Sequence, residues 1–62
     1  MQVVFFNKKS ETYDRFNCTH FHIDWVQLHR DYRVKCFVLY TEDKIVSIPC
    51  KDYELHKVDL IG

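Results

Sequence analysis

Apolar side chains along this chain recur at every second position, or in short unbroken runs, far more often than at helical spacing. Over Arg33–Pro49 two runs rich in β-branched and aromatic residues, RVKCFVLY and IVSIP, flank the polar stretch TEDK. That pattern predicts an antiparallel hairpin. Val34, Cys36, Val38 and Tyr40 fall on one face of its first strand, and Phe37 and Leu39 on the other. With both faces apolar, the strand calls for cover on both sides. A connection of two or four residues pairs Tyr40 with Ile45 and Val38 with Ser47, and puts Phe37, Leu39, Val46 and Ile48 on one apolar face. A three-residue connection would want a glycine in the left-handed region. None is at hand, because the only glycine is Gly62. The first register is therefore expected.

The same reading extends outward from the hairpin. Gln2–Asn7 contains Val3-Val4-Phe5-Phe6, an unbroken apolar run expected of a strand covered on both faces. Asn7-Lys8-Lys9-Ser10 is a polar turn. A further extended run spans Thr12 to Asp24, with Phe16, Cys18, His20 and His22 on one face and Thr19, Phe21 and Ile23 on the other. Phe21 and Ile23 are expected to face the core. Asp24–Arg30 fits two descriptions. As a helical turn near 25–31, Asp24 would cap it and Gln27 would complete the capping box. As a strand, it continues its β-rich surroundings, and strand is favoured because so short a helix is weak. Pro49 belongs at a strand end or sheet edge. Cys50-Lys51-Asp52-Tyr53 forms a tight turn, and Glu54–Ile61 is a last strand.

These elements predict a single all-β domain over 1–62: an antiparallel meander or small open barrel of four to six strands. A chain of 62 residues buries only about 60% of the surface that its unfolded form exposes. Yet 47% of the residues are hydrophobic, with five Phe, four Tyr and one Trp among them. Either they pack densely with scattered exposed members, which is ordinary, or part of them faces a partner.

Charge narrows the choice. Nine basic residues balance nine acidic ones, and no basic block stands out. Nucleic-acid affinity draws on phosphate neutralisation, so this balance argues against it. No segment is long and apolar enough for a membrane span or shaped like a signal peptide. Three cysteines, an odd number, leave at least one thiol free. A cytoplasmic, reducing location is the expectation.

Candidate chemistry centres on Cys18-x-His20-x-His22-x-Asp24. Alternate residues of one strand share a face, about 7 Å apart, so a thiolate and two imidazoles would align as zinc ligands do. The plainer account is a solvated polar face opposite Phe21 and Ile23. Cys18 beside His20 or His22 also supplies the residue types of a thiol nucleophile, although Cys18, Cys36 and Cys50 read more simply as small buried hydrophobes. Phe5, Phe6, Phe37, Tyr32 and Tyr40 could stack on unpaired bases, or they are core.

Protein recognition fits best. Edge strands offer unpaired backbone groups. Trp25, Tyr32 and Tyr40 are of the types that dominate interfaces, and with Val38 they form the expected contact surface. The phrase Ile48-Pro49-Cys50-Lys51-Asp52-Tyr53-Glu54-Leu55 is similar to the ends of several short all-β proteins of bacteriophages and mobile elements. That resemblance implies a protein that binds and redirects a host protein. The sequence thus predicts a non-enzymatic interaction module without cofactor, a homodimer or the ligand of another protein. A metal-binding domain on Cys18, His20 and His22, or a binder of single-stranded nucleic acid, are the alternatives.

Overall fold

The structure, a computed structural model, describes residues 1–60. Among these, six antiparallel strands form and no helix does: β1 (Gln2–Asn7), β2 (Thr12–Asn17), β3 (His20–His29), β4 (Tyr32–Tyr40), β5 (Ile45–Pro49) and β6 (Tyr53–Asp59). They assemble into two three-stranded sheets, ordered β2-β1-β6 and β3-β4-β5. The all-β expectation holds, and the architecture is two open sheets sharing one core instead of a closed barrel. Only the second sheet is a meander. In the first, the chain returns so that its last described strand pairs with its first.

The core lies between the sheets. Val3 and Phe5 of β1 meet Phe37 and Leu39 of β4 and Ile48 of β5, with Cys18 among them. Phe5 is fully buried. Its ring touches Phe16 of β2, Phe21 of β3, Phe37 of β4 and Tyr53 of β6, at centroid distances of 5.9, 6.3, 4.8 and 6.4 Å. Three of these contacts are edge-on, the geometry that aromatic quadrupoles favour.

The expected hairpin register is observed: Tyr40 pairs with Ile45 and Val38 with Ser47. The four-residue loop is made without glycine. The Thr41 amide donates to the Lys44 carbonyl (2.9 Å), and the Thr41 hydroxyl accepts from the Lys44 amide (3.1 Å). Residues 25–29 are strand, and the helical turn considered near 25–31 does not form; the chain reverses at Arg30-Asp31. Pro49 ends β5, an edge strand, where its missing donor is harmless. The last strand ends at Asp59, short of the predicted Ile61, which lies outside the described residues.

Two expectations need correction. The run Thr12–Asp24 is not one strand; it breaks at Cys18-Thr19. The Cys18 amide donates to the Met1 carbonyl in the first sheet (2.9 Å), and the next amide, Thr19, donates to the Tyr40 carbonyl in the second (2.8 Å). The chain therefore changes sheets between consecutive residues, and the face alternation restarts. Phe16 and Phe21, assigned to opposite faces, both pack on the core. Ile23, expected inside, is 51% exposed. It lies on the core-side face of β3, but at the edge of the sheet and outside the core cluster.

One end of the first sheet is tied by polar groups. The Asn7 amide donates to the Asp14 carboxylate (3.3 Å) and to the Tyr53 hydroxyl (3.2 Å), joining β1 to both neighbours. The Asn7 side-chain oxygen Oδ1 accepts the backbone amides of Lys9 and Ser10, folding the turn that glycine would otherwise make. The loop closes with Glu11 in the left-handed region, at φ 58°. A side chain there costs about 1–2 kcal/mol relative to glycine.

Two stability predictions follow from this end of the sheet. Glu11→Gly is expected to raise stability by about 0.5–1 kcal/mol after the added chain entropy of the unfolded state is subtracted, read from the urea midpoint. For Tyr53, burial first, then the Asp14 charge and hydrogen bond and the Asp52 charge, raise the phenol above its ordinary 10.0. The folded state thus holds this proton more tightly than the unfolded chain. The resulting stability is whole below that ordinary value and declines as pH rises through the folded one. Tyr53→Phe should therefore lose stability less steeply than wild type across alkaline pH in urea titrations. Equal slopes would refute the assignment.

Candidate interaction surface

Backbone pairing decides which side chains are left bare. β5 pairs with β4 only from Cys36 to Tyr40, whereas β3 accompanies β4 to the far turn. Beyond the Trp25–Lys35 pair the second sheet is therefore a two-stranded ribbon that runs on without its third strand. This arm accounts for the elongated shape: the longest extent is 39 Å and the radius of gyration is 11.9 Å, against about 10.5 Å for a compact chain of this size.

Apolar side chains remain in water at several places, among them Ile45 and Tyr13, and the arm and the open β3 edge beside it gather four of them. Trp25 is 61% exposed, Leu28 56%, and Ile23 and Tyr32 51% each. Leu28 is the extra residue of a bulge between Gln27 and His29, where two β3 positions oppose one stretch of β4. The Gln27 side-chain amide donates to the Arg30 carbonyl (2.9 Å) and steadies the turn.

Of the predicted contact residues, the structure gathers only some. Trp25 pairs with Lys35 and shares the face of Ile23 and Phe37; Tyr32, Val38 and Tyr40 lie on the opposite face of β4. Trp25 and Tyr32 are therefore both exposed but point to different sides of the ribbon. Val38 is 7% exposed and offers little to a partner. As the middle member of its row, between His22 and Ser47, it is shielded without a third layer. Tyr40 is half-buried, and the His20 ring stacks on it at 4.2 Å and 12°. Sequence reasoning overlooked Leu28 and Ile23. The Leu28 bulge had no signal in the pattern, and Ile23 was mistaken for core because the place of β3 at the edge of its sheet was not weighed.

The trio Cys18, His20 and His22 is not assembled. Cys18 is in the core. His20 lies against Tyr40, and His22 Nε2 is 3.7 Å from the Asp24 carboxylate on the exposed face. Among the described residues, no three His, Cys, Asp or Glu side chains come together as a metal site would need. The sheet change at Cys18-Thr19 separates ligands that a continuous strand would have aligned.

The thiols are also poorly placed for nucleophilic chemistry. Burial raises Cys18, offset in part by the terminal amine, and burial together with nearby Cys50 raises Cys36. Both shifts favour the unreactive thiol over the thiolate. Phe5 and Phe37 are buried and unavailable for base stacking. The outer face of the first sheet carries an open hollow of ≈ 420 Å³ between Tyr13, Arg15, His56 and Lys57, with Asp59 at its rim. Tyr13 and His56 are in ring contact there at 4.8 Å. Among the described residues no polar side chain is buried, so none is aimed into that hollow from the interior.

No family model, curated protein or solved structure matches the chain.

The state of the thiols yields a direct measurement. At pH 8 the native protein is expected to leave Cys18 and Cys36 unmodified by iodoacetamide over times that fully alkylate the urea-unfolded chain, as read by peptide mass mapping. Rapid native alkylation of Cys18 would reopen the nucleophile reading.

Proposed function

We propose that this protein is a non-enzymatic protein-interaction module whose binding element is the β3–β4 arm, presented to a second copy or to another protein in the cytoplasm. The observation that carries this reading is the ribbon itself. It leaves Trp25, Leu28 and Tyr32 more than half exposed although the chain has a core to bury them in, and Ile23, on the open β3 edge beside it, is equally bare. A two-stranded ribbon is marginal alone, and exposed apolar side chains on one gain stability when a partner covers them. Trp and Tyr are the side chains that most often dominate binding energy. The three cysteines are unpaired, in keeping with a reducing compartment.

The test compares wild type with Trp25→Ala. Because Trp25 is largely exposed, the substitution should move the unfolding free energy by no more than about 0.5 kcal/mol. Association, measured by sedimentation velocity for self-binding and by quantitative affinity capture for other proteins, is expected to weaken at least roughly tenfold, the loss of about 1.4 kcal/mol. Undiminished association in a folded Trp25→Ala protein would refute the role of the arm.

A further inference from the structure

The geometry points to a specific occupant for the arm: a second copy of this chain, joined β3 edge to β3 edge about a two-fold axis at Ile23, so that the two three-stranded sheets become one of six strands. This rests on the interaction reading above and fixes its partner and register.

The backbone supplies the first argument. The Cys50 amide donates to the Lys35 carbonyl (2.9 Å) and the Thr41 amide to the Lys44 carbonyl (2.9 Å), so odd-numbered residues of β4 turn their backbone groups toward β5. Antiparallel ladders alternate, so Cys36, Val38 and Tyr40 turn theirs toward β3. The Thr19 amide accordingly reaches the Tyr40 carbonyl. The residues paired with these, Asp24, His22 and His20, spend their backbone groups on β4. Phe21, Ile23 and Trp25 then direct N–H and C=O outward, along a free edge. The Trp25 amide confirms this, because its hydrogen bond goes to the carboxylate of Asp24 (2.8 Å), outside the ladder.

The second argument is length. β3 has ten residues, against six, five and seven for the other edge strands β2, β5 and β6. β5 also carries Pro49, and the β1–β6 ladder is broken by a register shift. These are devices that discourage edge pairing. Before its bulge at Leu28, β3 offers an uninterrupted edge from His20 to Gln27.

Charge then selects the register. A two-fold axis perpendicular to the sheet must pass beside a residue that faces itself. Centred on Ile23, the pairing sets His22 of each copy opposite Asp24 of the other, twice, and Phe21 opposite Trp25, twice. All three outward-facing residues then hydrogen-bond, the Trp25 amide passing from Asp24 to a carbonyl of the second copy. Centred on Asp24, two carboxylates oppose each other directly, which destabilises a ladder. Centred on Trp25, the pairing runs across the Leu28 bulge. Centred on His22 or Phe21, Trp25 would pair with Thr19 or Asn17, beyond the end of β3. Ile23 therefore marks the axis.

Sedimentation equilibrium at micromolar to millimolar concentration tests this with four proteins. Wild type is expected to dimerise. Ile23→Pro removes an outward-pointing donor but no β3–β4 hydrogen bond, and should be monomeric with strand content retained. His22→Asp sets like charges opposite each other and should weaken the dimer roughly tenfold. Adding Asp24→Lys to that variant should restore it. A monomeric wild type, a dimer that survives Ile23→Pro, or a charge swap that restores nothing would each overturn the proposal. Should Ile23→Pro fail to fold, the swap pair alone decides. A dimer insensitive to Ile23→Pro but lost in Trp25→Ala would sink the edge pairing while leaving the interaction role of the arm intact.

Discussion

Everything in this fold depends on one ring. Phe5 sits between the sheets and touches a ring from both of its own sheet's other strands and from two strands of the opposing sheet. A domain of this size draws on the order of 3–5 kcal/mol from a single core. Deleting a buried Phe costs about as much. The core has no second centre to fall back on. Its other fully buried large side chains, Leu39 and Val3, belong to the same cluster. That concentration also limits how far the core can reach. Side chains beyond the span of the ring and its neighbours go uncovered, and the β3–β4 ribbon begins where that span ends.

The elements that could be read from the sequence were those governed by local rules. Gln2–Asn7 was legible because its apolar run needs two-sided cover. The Tyr40–Ile45 pairing was legible because a loop without glycine excludes the three-residue alternative. What could not be read depends on distant parts of the chain. Nothing in Cys18-Thr19 marks a change of sheet: no proline or glycine stands there, and alternation continues in phase through His22. The break exists because Met1 and Tyr40, far apart in sequence, each take one of two neighbouring amides. The pairing of β1 with β6 is equally non-local.

The candidate surface divides along the same line. Trp25 and Tyr32 stood out by residue type, and both are exposed. Their placement on opposite faces of the ribbon was implicit in the pairing of Trp25 with Lys35, which required the hairpin register of a segment whose helical or extended state had first to be decided. Val38 misled because an apolar residue facing outward was taken to need a partner. A middle-strand position between His22 and Ser47 is shielded by its cross-strand neighbours alone. Val4 shows the same effect in the first sheet, between Arg15 and Lys57, whose apolar stems suit them to cover it.

Asp24 shows how an open edge can serve two states. In the single chain its carboxylate takes the outward-pointing Trp25 amide and lies near His22, so the most reactive stretch of the edge is occupied by a charge. A buried or outward charge of this kind is how natural sheets keep their edges from indiscriminate pairing. The guard is weak, however, because it is a largely exposed contact within one strand. A partner that offers a carbonyl to the amide and a cation to the carboxylate replaces both interactions without loss, whereas one that offers a second carboxylate is repelled. The residue that closes the edge to most strands thereby selects the few that match it, and the sequence of β3 read backwards is one of them.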